Sequence, residues 1–163
     1  MDYDTYIFDL DDTLWSGHWA KMLVGDLKLK DTNTIQDELG GSLTLKSGVR
    51  EFLSEKSKTC NIGFVSRGGL LNINKDNQPS IKVLRTFGIL DYFNYCRHTI
   101  YKTEDKGKYV IPSGRTLYID DNDNDLKDVL NNHKGSVFSS ETSLNVINAN
   151  GFYFESIKKS LVL

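Results

Sequence analysis

Short apolar runs alternate along the chain with stretches whose apolar residues fall three and four apart. Four runs, TYIFDL (5–10), CNIGFVS (60–66), TLYIDD (116–121) and GSVFSS (135–140), are brief, partly β-branched or aromatic, and bounded by polar residues. That pattern predicts strands buried on both faces of a parallel sheet. Between them GVREFLSEKS (48–57) and SIKVLRTFGI (80–89) carry the period of helices lying on a sheet. NDNDLKDVLNNH (122–133) opens on capping residues and sets Leu126, Val129 and Leu130 on one face. Strand and helix in repetition predict an α/β fold, a Rossmann-like doubly wound parallel sheet. GFYFESIKKSLVL (151–163) reads as a last strand and helix with no clear boundary.

Two stretches break the rhythm. Residues 14–47 hold Gly17, Gly25, Gly40 and Gly41 and no strong period, so they read as a flap or hairpin excursion, too short for a large cap domain. Residues 68–79 are rich in turn formers and read as loop. At 163 residues, without repeats or a linker, the chain fits one domain with an apolar core of its own.

Charge narrows the range of partners. Lys and Arg number 20 against 22 Asp and Glu, a net of -2, with the basic residues scattered. No dedicated nucleic-acid surface is indicated, while a small anionic substrate stays possible. Cys60 and Cys96 stand apart, outside any zinc or disulfide pattern. An acidic N-terminus without an apolar signal stretch, and no run of membrane-spanning length, predict a cytoplasmic protein with no membrane partner.

The candidate chemistry lies at the ends of the apolar runs. YIFDLDDTLW (6–15) sets three aspartates among four residues directly after a buried strand, where like charges repel unless a cation joins them. Ligands of open parallel sheets sit beyond the carboxyl ends of the strands. Those ends carry Asp9 and Asp11 with Thr13 beyond, then Ser66 and Arg67, then Asp120 and Asp121 with Asp125 four residues on. Such oxygen ligands suit Mg²⁺. A calcium loop over Asp121, Asp123 and Asp125 fails twice: Leu126 stands where Gly is needed and Asn132 where a bidentate Glu is expected.

FDLDDTLW resembles the first motif, Asp-x-Asp-x-Thr, of the haloacid dehalogenase (HAD) superfamily of phosphohydrolases. Ser66, a later Lys and YIDDNDND follow in the superfamily's order. The Trp after DDTL, the Ser66-Arg67 pair, GVREFL and LRTFGILDYF together resemble its magnesium-dependent phosphatase group. The resemblance covers about residues 4 to 126 and rests on motif order. It implies a single HAD-like hydrolase domain over 1–163 and a Mg²⁺-dependent phosphomonoesterase acting on a phosphorylated small molecule or phosphoprotein.

The resemblance also implies roles. Asp9 is the expected nucleophile, forming an aspartyl-phosphate, and Asp11 the general acid and base, since alternate strand residues face one side. Ser66 and a Lys are expected to contact the phosphoryl oxygens. Mg²⁺ is assigned to Asp9, the Asp11 carbonyl and Asp121, with Asp120 the alternative in that doublet. Of Lys102, Lys106 and Lys108, Lys106 is chosen because Tyr109 and Val110 follow it at burying positions. Thr13, Trp15 and Arg67 are expected near substrate, and Trp15, His18 and Trp19 are candidates to stack on a leaving group or simply to pack. A phospho-accepting receiver domain is the rival reading, although Ser66 ends the strand where a receiver carries its Asp. A non-catalytic phosphate-binding module of HAD type is the other.

Overall fold

The run TYIF forms strand β1 (Thr5–Phe8), buried at every position and central in a five-stranded parallel sheet. The computed structural model of the chain describes residues 2–136 and 139–154. After β1 come β2 (Trp15–Gly17), β3 (Lys28–Asp31), β4 (Thr34–Gln36), β5 (Ser42–Leu45) and helix α1 (Val49–Lys56). They are followed by β6 (Asn61–Ser66), α2 (Pro79–Thr86), β7 (Arg97–Thr99), β8 (Arg115–Asp120), α3 (Asp123–His133) and β9 (Ser143–Asn148).

The parallel sheet runs β7-β6-β1-β8-β9, with Tyr6 opposite Ile62 on one side and Leu117 on the other. Strand alternation sends Phe8, Phe64 and Ile119 to one face, where α1 and α2 add Phe52, Leu53 and Leu84. Ile7, Val65 and Tyr118 go to the other face and meet Leu126 and Val129 of α3. Both faces are therefore covered, which is why these strands read as continuous apolar runs.

Local chemistry sets the helix ends. Pro79 opens α2 at a position where its missing N–H costs nothing. The apolar pattern runs to Ile89, yet the helix stops at Thr86, because Gly88 turns left-handed at φ +68°. The amides of Gly88 and Ile89 then cap the carbonyls of Arg85 and Leu84 at 2.9 and 3.0 Å. In α3 the side chain of Asn122 accepts from the Asn124 amide, and Asp123 and Asp125 occupy the first turn. Leu126 and Val129 of α3 are buried, whereas Leu130, expected beside them, is half exposed.

The flap region is a second, antiparallel sheet of order β2-β5-β4-β3. Its strands are three or four residues long, too short to show a period, and Trp15, Ile35, Leu43 and Leu45 tie it to the main core. The last parallel strand differs from expectation. It is β9, and the flanks of 135–140 are turn and coil, with residues 137 and 138 outside the described residues. SLNVIN is a half-buried edge strand whose asparagines hide its pattern. Of the C-terminal stretch, 155–163 lies outside the described residues. Among the described residues, no helix is long and apolar enough to cross a membrane.

Candidate active site

β1, β6 and β8 end on one rim. Asp9 follows β1 and its amide donates to the Ile119 carbonyl at 2.8 Å, so the backbone pairing of β1 with β8 continues into the first aspartate. Ser66 ends β6 and Asp120 ends β8, both buried. Carboxylate oxygens of Asp9, Asp120 and Asp121 all lie within 4.8 Å of one another.

Lys106 reaches into this group from a short turn of 3-10 helix, Lys106–Lys108, whose Asp105 side chain accepts from the Gly107 amide. Only 2% exposed, Lys106 donates to Asp9 Oδ1 at 2.7 Å and Asp120 Oδ2 at 2.7 Å, and lies 3.1 Å from Asp125 Oδ2. Burial works against its charge, but the three carboxylates outweigh it and hold the ammonium pKa above its ordinary value. Lys102 lines the cavity from an exposed position, and Lys108 does not line it.

Asp120 is fully engaged. Its Oδ2 also accepts from the buried Tyr118 hydroxyl at 2.5 Å, and its Oδ1 from the Asn122 amide at 2.9 Å. Asp121 is freer: its amide donates to Thr13 Oγ1 at 3.1 Å, and Asn148 at the end of β9 donates to its carbonyl at 3.0 Å. Both contacts fix its backbone, and the Thr13 hydroxyl also donates to Asp121 Oδ1 at 3.4 Å, one long contact on this carboxylate against three on Asp120.

Asp11 has different surroundings. Its Oδ1 accepts from Trp15 Nε1 and from the Ala20 amide, both at 2.8 Å. Between the paired acids and the flap, Asp12 sits left-handed at φ +60°, a conformation rare for a residue with a Cβ, and Lys46 Nζ donates to its carbonyl. The turn that presents Asp11 is thus fastened by the strand end that closes the flap.

These groups open into a cavity of about 340 Å³, lined among others by Asp9, Asp11, Ser66, Arg67, Lys106 and Asp121, with Trp19, Lys21 and Lys102 also on its wall. Burial, opposed by Lys106 and reinforced by Asp120, pushes the Asp9 carboxyl up to about 8. Burial also raises Asp11, against the hydrogen bonds from Ala20 and Trp15. Burial raises Asp121 too, helped by Asp120 and Asp12. The described site carries more carboxylate than Lys106 and Arg67 neutralise, and its donors are hard oxygens, so the residues present fit a divalent cation.

A family model described as acid phosphatase matches residues 4–136. The chain belongs to the acid phosphatase family. Among solved structures it is similar to the HAD domain of the effector protein Lem4 from Legionella pneumophila, at TM-score 0.60 and 17% identity over 98% of this chain and 94% of that one. An inactive mutant of the same domain aligns at TM-score 0.60 and 14% identity, over 98% and 93%. A search of curated protein sequences finds no match. The neighbours show the HAD-like fold, and this acid phosphatase relative carries it without a large cap.

Within that fold, the candidate residues divide into those that meet the cavity and those that support it. Asp9, Asp11, Ser66, Lys106, Asp120 and Asp121 converge. Arg67 also lines the cavity, but its guanidinium is committed to Asp125, with Asp128 Oδ2 at 3.6 Å and the Glu104 carbonyl at 3.2 Å. Two expectations need correction. Thr13 is fully buried and braces Asp121, so it does not face substrate. Trp15 is fully buried in the core, where its ring packs near Phe87 and its N–H holds Asp11. Trp19, 47% exposed on the cavity wall, is the aromatic within reach of a ligand. His18 is exposed and its ring nitrogen pairs with the Ser42 carbonyl. Sequence reasoning missed Tyr118, which reads as an ordinary strand aromatic. The signal was its two-residue spacing from Asp120, which puts both on one face.

Proposed function

We propose that this protein is a Mg²⁺-dependent phosphomonoester hydrolase working through an aspartyl-phosphate on Asp9. One observation carries this reading: Asp9 and Asp11 line the same cavity with opposite surroundings, Asp9 against the Lys106 ammonium and Asp11 against two neutral N–H donors. An Asp9 oxygen attacks phosphorus as the carboxylate, the form that Lys106 and a bound cation would favour against burial, and forms the aspartyl-phosphate as the bond to the leaving oxygen breaks. Asp11, whose protonated form burial favours, gives its proton to that oxygen. It then takes a proton from the water that attacks the phosphoaspartate, which frees phosphate and restores Asp9.

Lys106 and the Ser66 hydroxyl are placed to offset charge on the phosphoryl oxygens. Asp9, Asp121 and the Asp11 carbonyl would hold Mg²⁺, with Thr13 and Asn148 bracing Asp121 and Lys106 and Tyr118 engaging Asp120. When bound, the ion supplies positive charge that lets two anions meet. Free Cys60 and Cys96 suit a reducing compartment, and we place this single hydrolase domain in the cytoplasm, acting on a phosphorylated small molecule or phosphoprotein.

Steady release of phosphate from p-nitrophenyl phosphate with Mg²⁺, abolished in Asp9→Asn, is the expected result. Stoichiometric labelling by acetyl phosphate without turnover would point to a receiver. Neither turnover nor labelling would point to a binding module.

A further inference from the structure

Beside the carboxylate cavity lies a second one of about 150 Å³. Ala20, Leu23 and Leu27 of the flap face Leu70, Ile73 and Pro79 across it, with the exposed Lys21 and Lys82 also on its wall. Lys21 lines both cavities, and its ammonium lies 5.1 Å over the Trp19 ring, so the two spaces are neighbours. Around them Trp19, Met22, Leu70 and Ile73 leave apolar surface in solvent.

The loop carrying Leu70 and Ile73 is held in place. Buried Gln78 accepts from the Leu70 amide at 2.8 Å and donates to the Leu70 and Ile73 carbonyls at 3.0 and 2.8 Å. Between them Asn72 is left-handed at φ +62°, the kind of backbone strain that persists where surrounding structure enforces it. Two apolar side chains are thus presented outward by a pinned and strained loop.

We propose that this cavity receives one apolar side chain of a phosphorylated polypeptide, so that the substrate carries an apolar residue next to the phosphorylated one. The inference rests on the phosphatase reading and names its substrate class. Size favours a peptide over a lipid. A cavity of about 150 Å³, lined by six apolar residues together with Gly25, Asn77, Lys21 and Lys82, has the volume of a ring the size of benzene, one side chain's worth and too little for an acyl chain. Lys21 and Lys82 complement the negative charge of the phosphorylated segment.

The test uses pentapeptides with phosphoserine or phosphotyrosine at the centre and leucine, glycine or aspartate beside it. Binding to the non-hydrolysing Asp9→Asn protein is followed by fluorescence polarisation, and turnover is measured on the wild type. Leucine peptides should exceed glycine peptides about tenfold or more in affinity and in kcat/KM, the scale of burying most of one leucyl side chain. In Ile73→Asp that ratio should fall towards one. In Leu71→Asp, on the same loop but outside the cavity lining, it should persist, which separates loss of the pocket from loss of the loop. Equal binding of all three peptides overturns the proposal, as does a preference unmoved by Ile73→Asp or stimulation by anionic vesicles in place of a peptide preference. Absence of turnover on any phosphate ester sinks the phosphatase reading instead, and the binding measurement still decides the pocket.

Discussion

Lys106 Nζ lies 2.7 Å from Asp9 Oδ1 and 2.7 Å from Asp120 Oδ2, one buried cation between the ends of two neighbouring strands. Removing it leaves the buried carboxylates of Asp9, Asp120 and Asp125 facing one another without their shared cation. Lys106→Met should destabilise the metal-free protein by roughly 3–5 kcal/mol, the usual cost of stranding buried charge. Denaturant titrations should find the loss largest at neutral pH and smaller in acid, where the carboxylates are protonated. Equal stability of Lys106→Met and wild type at neutral pH would refute the charge balance described here.

Asp9 carries a pH signature. Its carboxyl is raised from an ordinary 3.8 to about 8, chiefly by burial, so between those values the folded protein binds a proton that the unfolded chain has lost. Stability contributed this way falls as pH rises. The melting temperature of the metal-free protein should drop between about pH 5 and about pH 8, and Asp9→Asn should remove most of that drop. An unchanged slope in the variant would assign the effect elsewhere.

The Asp120–Asp121 doublet should split by function. EDTA should stop phosphate release and Mg²⁺ restore it, with Ca²⁺ inhibiting because its bonds are longer and its geometry looser. Asp121→Asn should raise the Mg²⁺ needed for half activity more than Asp120→Asn does, because Asp120 is already engaged by Lys106, Tyr118 and Asn122. Titration calorimetry with Mg²⁺ reads the same ranking without turnover. The reverse order would move the ligand to Asp120.

Trp15→Phe keeps an aromatic ring in the core and deletes the N–H that holds Asp11. Since that hydrogen bond lowers the Asp11 carboxyl against burial, its loss should raise it further. The activity profile should shift to higher pH and kcat should fall. Trp15→Ala should cost about 3–5 kcal/mol as a core cavity. A Trp15→Phe profile that matches wild type would make Trp15 a packing residue alone.

Trp19→Ala should behave in the opposite way. The side chain is half exposed on the cavity wall, so melting temperature should stay nearly constant while KM for a bulky aryl phosphate rises. The scale is set by aromatic contacts worth about 0.5 to 1.5 kcal/mol beyond area burial. A large fall in melting temperature with constant KM would assign Trp19 to the fold.

The central strands and the acidic rim were legible because burial on both faces and charge at strand ends leave unmistakable marks on TYIFDLDD and TLYIDD. What stayed hidden depends on partners distant in sequence. β7 has three polar residues and exists through pairing with β6, and β9 is half exposed at the other edge. Stacking and packing stayed open for both Trp15 and Trp19, and the structure divides them, with Trp15 in the core and Trp19 half exposed. Thr13 shows the same limit, since its bond to Asp121 spans 108 positions.

Asp11 is tied to Trp15 and Ala20, so the near half of the flap cannot swing away without carrying the proposed acid with it. The entrance on that side keeps its shape for as long as those two hydrogen bonds hold. The far half, with β3 at the sheet's exposed edge, bears no such duty. Lengthening or trimming that hairpin would leave Asp11 and its two partners where they are, since among the described residues none of β3 or β4 lines the carboxylate cavity.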